Sequence, residues 1–450
     1  MSTFNARGGQ SYALRFVWLA ILFLGIYASE AGAQEREAIP LQSLIDAAQE
    51  GDTIKLEDGM RYSGPAVILK RVTIRSTGSA TIENLPGGPA ITLDADGITL
   101  QGLRINDGQT DPNASAILVQ SSFNRIENVT IVSQAGGIYL RGANDNSIVN
   151  CRIEGAKAND PKEAYSKRGN GIDLLASSRN TIENNTIVHV HDGVYAESSN
   201  QTRVVRNHAV DSRYGFHFMF SALPELIDNT GSRNVTGGMV MGVEGAVVSG
   251  NRFDKQTENV NSQGLLLFDV KRSEIRGNSV AGNRVGIYVE RSSMNVFTNN
   301  EASNNFIGMQ MIRSDGNRFT GGTFIANVIQ AQATEGEDNE FEQNYWDDFQ
   351  GLDVDGDGFS DIVYEIDPFF LKVTDQVEAY QLFFHSPGLP FLSYMFREDT
   401  SNWLKDIKPL MSQPLGESEP VSRERAVFLS ISAILLLFSS MIIYRWGYKR

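Results

Sequence analysis

The sequence predicts an all-β fold, a right-handed parallel β-helix. In detail, it predicts a solenoid of 22-residue coils with an N-terminal cap helix and a C-terminal transmembrane helix. Asparagines recur every 22 residues, glycines recur with the same step, and segments such as TIENNTIV and GIYVERS alternate apolar and polar residues. A repeat of roughly 20 to 50 residues is typical of solenoids, and a period of two is typical of strands.

The asparagine series is interrupted twice. The step from Asn150 to Asn185 is 35 residues and the step from Asn251 to Asn278 is 27, so we expect insertions of 13 and 5 residues. In a parallel solenoid each residue stacks on its equivalent one coil later, and a stacked asparagine can satisfy buried backbone groups. The predicted ladder contains Asn84, Asn106, Asn128, Asn150, Asn185, Asn207, Asn229, Asn251, Asn278, Asn300 and Asn344, with Gly322 before the last.

A glycine ladder precedes the asparagines by 14 residues, and we expect glycine to supply positive φ at the corners. It contains Gly171, Gly193, Gly215, Gly237, Gly264, Gly286 and Gly308. A leucine-rich-repeat horseshoe would need regular leucine spacing and usually a helix per repeat, and the sequence has neither. Pro40 to Glu50 has helical apolar spacing and is predicted to cap the first coil, while residues 344–373 are predicted to cap the last.

The glycine ladder also sets which residues face outward. One and three residues after each glycine the side chains are almost all apolar, so these positions are predicted to face the core, and positions two and four to face outward. The outward columns contain Asp173, Tyr195, His217, Met239, Leu266, Tyr288 and Gln310, and Leu175, Glu197, Met219, Met241, Phe268, Glu290 and Ile312.

A block of His217, Met219, Met239 and Met241 lies in the middle of these columns, on two neighbouring strands. Three thioethers and an imidazole form a soft ligand set that suits copper, and Cu(I) in particular. A methionine-lined patch for a partner protein is the alternative. His189, His191 and His208 are weaker candidates.

A second candidate metal site follows the repeats. Asp353, Asp355, Asp357 and Asp361 occupy positions 1, 3, 5 and 9 of a loop with calcium-loop spacing. Position 12 is Tyr364 rather than glutamate, so Glu365 or Asp367 would have to complete a structural Ca²⁺ site. The alternative is a solvated acidic turn.

The ends of the chain predict export and a membrane tether. Residues 1–33 have the layout of a signal peptide, 34–373 form the capped β-helix, 374–425 an irregular tail, and 426–444 an uncharged apolar run long enough to cross a bilayer. Basic residues after position 444 place that end in the cytoplasm and the body in the periplasm. The net charge of −15 argues against nucleic acid as a partner.

No catalytic constellation is visible, and the chain is predicted not to be an enzyme. The sequence has no GxSxG, HExxH or phosphate-binding glycine loop. The single cysteine, Cys151, excludes an intrachain disulfide and is predicted to be a small core residue.

Four segments are more specific than the repeat: YGFHFMFS at 214–221, NYWDDFQGLDVDGDGFSD at 344–361, HSPGLPF at 385–391 and KPLMSQP at 408–414. They resemble the NosD family, exported β-helical accessory proteins of nitrous oxide reductase maturation. The resemblance covers roughly residues 37 to 415. It implies a copper-handling role for nitrous oxide reductase, with an ABC transporter membrane subunit and its ATPase and with a copper-carrying lipoprotein. The predicted C-terminal membrane helix departs from the family pattern.

Two functions therefore remain open. The first is a non-enzymatic copper chaperone and assembly factor. The second is a membrane-anchored polysaccharide lyase, hydrolase or carbohydrate-binding protein. An enzyme of this fold would line its outward face with paired carboxylates, basic residues and sugar-stacking aromatics, whereas the centre of this face is methionine and histidine.

Overall fold

A computed structural model describes residues 38–155, 165–257, 262–368 and 403–414, together with Met395. The predicted signal peptide, the predicted membrane segment at 426–444 and most of the predicted tail lie outside the described residues. Within the described part of the chain, no helix is long and apolar enough to cross a membrane.

The described residues form a parallel β-solenoid of three long sheets, which confirms the predicted coil. The first sheet has 14 strands: Ile39–Pro40, Arg61–Ser63, Thr81–Asn84, Arg104–Asp107, Thr130–Ser133, Arg152–Glu154, Thr186–Val188, His208–Val210, Thr230–Ser232, Arg252–Asp254, Ser279–Ala281, Glu301–Ser303, Thr323–Ile325 and Tyr345–Trp346. The second has 12: Ala66–Ile68, Ile91–Leu93, Ser115–Val119, Gly136–Arg141, Ile172–Leu175, Asp192–Glu197, Tyr214–Met219, Thr236–Met241, Gln263–Phe268, Val285–Glu290, Ile307–Ile312 and Ile329–Thr334. The third has 15: Thr53–Lys55, Thr73–Arg75, Thr99–Gln101, Arg125–Glu127, Ser147–Val149, Thr181–Glu183, Arg203–Val205, Glu225–Ile227, Val247–Ser249, Glu274–Arg276, Val296–Thr298, Arg318–Thr320, Glu340–Glu342, Tyr364–Glu365 and Lys405–Asp406.

The strands pair in the 22-residue register that the repeat predicts. Val194 pairs with Phe216 and Phe216 with Gly238, which are steps of 22 residues. Gly238 pairs with Leu265, a step of 27, as the second interruption requires. At the first interruption Ile153 pairs with Ile187, a step of 34, so the insertion has 12 residues rather than 13.

The asparagine ladder is confirmed from Asn185 onward. Asn207 is typical: its backbone N–H donates to Asn229 Oδ1 at 2.8 Å, and its amide donates to the backbone oxygen of Ile182 at 2.8 Å. The last rungs continue through Gly322, whose N–H donates to Asn344 Oδ1 at 2.8 Å. Each buried asparagine side chain therefore forms hydrogen bonds with backbone N–H and C=O groups that have no backbone partner at the turn.

The first half of the predicted ladder is wrong, because equal spacing does not make those residues equivalent. Cys151, not Asn150, precedes Asn185 in the stack, and its backbone N–H donates to Asn185 Oδ1 at 2.8 Å. Asn128 and Asn150 both have a φ of 54° and occupy the exposed left-handed corner one residue earlier. The other two lie in strands, where Asn84 pairs with Asp107 and Asn106 pairs with Val132.

The glycine ladder exists, but its expected role at positive φ is wrong. None of its seven members is among the described glycines with positive φ. These positions have no room for a side chain, because consecutive coils approach closely. A Cβ on Gly193 would lie 2.3 Å from the backbone oxygen of Gly215, and a Cβ on Gly237 would lie 2.6 Å from the backbone oxygen of Gly264. The requirement is space rather than backbone conformation.

The predicted N-terminal cap helix is present, whereas the other end of the solenoid is closed by a segment that was predicted to be tail. Helix α1, Leu41–Ala47, buries Leu41 and Ile45 against the first coil. At the other end, Lys405–Asp406 lies within the predicted tail, yet it joins the third sheet and pairs antiparallel with Tyr364–Glu365. The buried carboxylate of Asp406 accepts hydrogen bonds from Asn344 Nδ2 at 2.9 Å and Trp346 Nε1 at 3.1 Å, which closes the solenoid. A short 3₁₀ turn, Tyr165–Lys167, follows the first insertion.

Candidate metal centre

The four residues of the predicted soft site lie together on two paired strands of the second sheet. His217 pairs with Met239, and Met219 pairs with Met241. Phe216, Phe218 and Val240 between them are buried in the core, so the outward columns have the predicted register.

Although all four positions face away from the core, two of their side chains are not on an open surface. His217 is 5% exposed and Met239 is 8% exposed, whereas Met219 and Met241 are partly exposed. Tyr195 from the preceding coil and Tyr214 from the same strand pack against His217. The four residues are therefore in a pocket of about 530 Å³, lined by Asn170, His191, Asp192, Tyr195, Arg213, Tyr214, His217, Met219, Met239 and Met241.

The imidazole of His217 is held by one carboxylate. His217 Nδ1 lies 2.9 Å from Oδ2 of Asp192, which is 0% exposed. Nε2 of the same ring is buried, and no described residue is hydrogen-bonded to it. A buried ring nitrogen without a partner is uncommon, and it is the arrangement that a histidine ligand adopts when a carboxylate orients its other nitrogen.

Asp192 is in turn bound by an arginine. Arg213 Nε donates to Asp192 Oδ1 at 2.8 Å, and a terminal guanidinium nitrogen donates to Oδ2 at 2.6 Å. Burial by itself would raise the pKa of Asp192, but the hydrogen bonds from His217 and Arg213 outweigh it and hold the pKa below its ordinary value. The carboxylate is therefore an anion with both oxygens occupied.

Two tyrosines enclose the histidine. The rings of Tyr195 and Tyr214 meet the imidazole edge-on, with centroids 5.0 and 4.9 Å away. The Tyr195 hydroxyl lies 2.6 Å from Glu197 Oε2 and 3.5 Å from the sulfur of Met219. Burial and the neighbouring Glu197 carboxylate raise the pKa of Tyr195, so its hydroxyl remains a donor.

Of the other histidines named above, His191 lies at this pocket. Its Nδ1 lies 2.9 Å from the backbone oxygen of Tyr165, and burial lowers its pKa. His189 lies beside Asp211, with Nε2 to Oδ2 at 3.7 Å, and His208 is hydrogen-bonded to Thr230 at 2.6 Å. Neither His189 nor His208 lines the pocket.

The predicted calcium loop forms a compact acidic turn. One carboxylate oxygen from each of Asp353, Asp355 and Asp361 lies within 4.8 Å of the others. Asp357 is not in that group, and its carboxylate accepts the N–H of Phe359 at 2.9 Å. Gly356 and Gly358 have φ of 77° and 88°, so the turn itself requires glycine.

Asp192 and Arg213 were not among the site residues predicted from the sequence. Strict alternation from the inward Val194 would point Asp192 into the core, but its carboxylate contacts His217 on the outer side. The alternation breaks at Gly193, where coils are too close for a Cβ. A polar column one residue before the ladder glycines, Asn170, Asp192 and Tyr214, was the available signal.

Comparison with known proteins gives a family model and two relatives that align over most of the chain. A family model described as "Periplasmic copper-binding protein (NosD)" matches residues 158–351, which include the pocket. A "Probable ABC transporter binding protein NosD" of Pseudomonas aeruginosa is 27% identical over 460 residues, covering 89% of this chain and 96% of that protein. A protein of the same description from Stutzerimonas stutzeri is 27% identical over 435 residues, covering 91% and 97%.

A solved structure supports the fold alone. A crystallised mutant of the periplasmic alginate epimerase AlgG superposes with a TM-score of 0.51 at 13% identity, covering 67% of this chain and 82% of that one. The resemblance noted in the sequence extends over nearly the full length of both relatives. The chain is therefore similar to the NosD family, through the family model over residues 158–351 and through both relatives over most of its length.

Proposed function

We propose that this chain binds copper as Cu(I) in the pocket formed by His217, Met219, Met239 and Met241. The observation that carries the proposal is the buried Nε2 of His217, to which no described residue is hydrogen-bonded, in a pocket that three thioethers also line. Thioether and neutral imidazole are ligands of choice for Cu(I), while Mg²⁺ and Ca²⁺ prefer oxygen. The family description, which names a copper-binding protein, supports the same metal.

We further propose that the bound copper is cargo for assembly of the copper site of nitrous oxide reductase. The two full-length relatives are described as probable ABC transporter binding proteins. By this proposal the chain works on the periplasmic face with a transporter membrane subunit, its ATPase and a copper-carrying lipoprotein, and accepts and passes on copper for the reductase. The predicted helix at 426–444 would tether it to the cytoplasmic membrane.

A Cu(I) titration of the full-length chain in detergent, under reducing and anaerobic conditions, tests the site. The triple variant Met219→Leu, Met239→Leu, Met241→Leu keeps the side-chain volumes. Competition with a chromophoric Cu(I) chelator should show uptake by the wild type and none by the variant at equal chelator. Met294→Leu, an exposed methionine outside the pocket, is the matched control and should bind like the wild type.

Melting curves of each variant establish that it is folded. Full Cu(I) binding by a folded triple variant would refute the site.

A polysaccharide-modifying activity is the second candidate, and one observation favours it. A histidine oriented by a carboxylate, with a buried Nε2 to which no described residue is hydrogen-bonded, in a pocket also lined by Tyr195, Tyr214 and Arg213, is what general acid–base chemistry needs as well. Incubation with polyuronates and detection of unsaturated or epimerised products decides between the two. Turnover that His217→Gln abolishes and the methionine triple variant retains would favour the enzyme.

We also propose that Asp353, Asp355 and Asp361, with Asp357 nearby, hold a structural Ca²⁺ at the C-terminal cap. Carboxylate oxygens are hard ligands that converge in this turn. Asp361 also accepts the N–H of Val354 at 2.8 Å, so the group is already folded into a turn. An ion there would neutralise the repulsion between the carboxylates.

A further inference from the structure

The strongest unassigned feature is the pair of charged residues behind His217, because no part of the proposed ligand set includes them. Asp192 and Arg213 are coupled by two hydrogen bonds, and Asp192 also reaches His217. We propose that Asp192 and Arg213 are positioning residues: Asp192 fixes His217 with Nε2 free for the ion, and Arg213 occupies the carboxylate so that the pocket selects Cu(I) over Cu(II). This inference rests on the proposed copper site.

The contact with Asp192 determines which nitrogen of the His217 imidazole carries the proton. A carboxylate accepts hydrogen bonds, so the contact of 2.9 Å requires His217 Nδ1 to carry the proton. In the neutral ring Nε2 is then the bare nitrogen, and a metal can use its lone pair. The Asp192 backbone N–H, which donates to Asn170 Oδ1 at 3.1 Å, helps to hold the carboxylate in place.

The charges that line the pocket determine which copper ion it prefers. Asp192 is the one carboxylate among the described residues that line the pocket. A free carboxylate would favour the harder, doubly charged Cu(II), but here both oxygens are bound by the guanidinium. Arg213 also keeps a positive charge near the ion, which penalises a doubly charged ion more than a singly charged one.

Arg213 is itself fixed in place. Its guanidinium carbon lies 4.3 Å from the centre of the Tyr214 ring, and Tyr214 in turn contacts His217 edge-on. The arginine is therefore held on two sides, by the carboxylate and by the ring. A second Asp–Arg pair lies on the same face in the preceding coils, where Arg141 donates to Asp173 Oδ1 at 2.6 Å.

The test compares Asp192→Asn with Asp173→Asn in the full-length chain. Asp173→Asn breaks an ion pair of similar burial that does not touch His217, so it is the matched control. Loss of an outer-shell partner of a ligating histidine typically costs about 10- to 100-fold in metal affinity. We therefore expect the Cu(I) affinity to fall by about 10- to 100-fold in Asp192→Asn and to change by less than about twofold in Asp173→Asn.

A second readout separates positioning from folding. Solid-state NMR of the metal-free chain with ¹⁵N-labelled histidine, assigned with His217→Gln, reports which ring nitrogen carries the proton. We expect protonated Nδ1 at His217 in the wild type and in Asp173→Asn, and a mixture of tautomers in Asp192→Asn. An unchanged tautomer together with unchanged Cu(I) affinity in Asp192→Asn would overturn the positioning role.

The arginine is tested by selectivity. Arg213→Gln should lower the ratio of Cu(I) to Cu(II) affinity by about tenfold or more, since one decade corresponds to about 1.4 kcal/mol of differential binding. Arg213→Lys, which keeps the charge if the glutamine variant fails to fold, should lower the ratio less. An unchanged ratio in a folded variant would refute the selectivity role. If the wild type binds no Cu(I), the proposed function fails, while the tautomer measurement still decides whether Asp192 positions His217.

Discussion

Replacing Asn229 with alanine should remove one rung of the interior ladder and destabilise the solenoid locally. Asn229 is fully buried, and its Oδ1 accepts the backbone N–H of Asn207 at 2.8 Å and the Asn207 amide at 3.1 Å. Its own amide donates to the backbone oxygens of Val204 at 2.8 Å and Ile227 at 2.9 Å, and to Asn251 Oδ1 at 3.1 Å.

The expected cost follows from what alanine leaves behind. The Asn207 N–H loses its acceptor inside the core, which costs about 1–3 kcal/mol, and each further lost hydrogen bond contributes about 0.5–1.5 kcal/mol net. Some of these groups retain other hydrogen-bond partners, which reduces the total. We therefore expect the free energy of unfolding to fall by about 3 to 5 kcal/mol. That is a large fraction of the stability of an ordinary domain, about 5–15 kcal/mol.

Asn184→Ala is the neighbouring control. Asn184 is exposed, accepts one hydrogen bond from Arg206 at 3.2 Å and has a φ of 55°. We expect a loss of at most about 1 to 2 kcal/mol there, mainly from alanine in the left-handed region. Urea unfolding of the full-length chain gives the free-energy difference.

Hydrogen exchange should locate the weakened region in the coils around residues 204–251, because each coil contacts its neighbours only. Asn229→Ala and Asn184→Ala with equal stabilities would refute the view that the ladder amides hold the coils together.

The same structure supports four more predictions. Gly237→Ala should lower the free energy of unfolding by about 2 kcal/mol or more, because its Cβ would lie 2.6 Å from a backbone oxygen of the next coil. Gly88→Ala, with nothing within 4 Å of its Cβ, should change the melting temperature little. Similar melting temperatures for the two variants would contradict the view that close approach of the coils requires glycine. Burial raises the pKa of the Cys151 thiol to about 12, so the folded chain should resist alkylation at about pH 8 and react only in denaturant; rapid labelling of the native chain would show that the thiol is accessible. Calcium should raise the melting temperature of the wild type by mass action and leave Asp355→Asn unaffected; no calcium effect on the wild type would leave only an acidic turn. A reporter active only in the periplasm should give signal when fused after residue 415 and none at the C-terminus; the opposite pattern would exclude the predicted topology.

Cys151 illustrates how the ladder tolerates a different residue. Its sulfur lies 3.7 Å from the backbone oxygen of Ile126 and 3.4 Å from that of Val149. Those oxygens lie 25 and 2 residues earlier, the same offsets at which Asn207 donates to Ile182 and Val205. A small, weakly polar thiol can thus occupy an asparagine position, which is why counting asparagines placed the first half of the ladder wrongly.

The repeat by itself determined the solenoid, its coil length, the inward and outward columns and the grouping of His217 with the three methionines. It could do so because parallel stacking turns a 22-residue step in sequence into adjacency in space. The outward columns followed from alternation, which the pleat imposes on every strand.

Only the tertiary structure decided what surrounds that group. The contact of His217 with Asp192, 25 residues earlier, and the pairing of Asp192 with Arg213 depend on a local break in alternation at Gly193, where two coils come too close for a side chain. The docking of Asp406 against Asn344 and Trp346 joins segments 62 and 60 residues apart with no repeat between them. Periodicity specifies which residues stack; the direction of each side chain at a turn, and the ion pairs that cover it, depend on backbone geometry and packing that no period encodes.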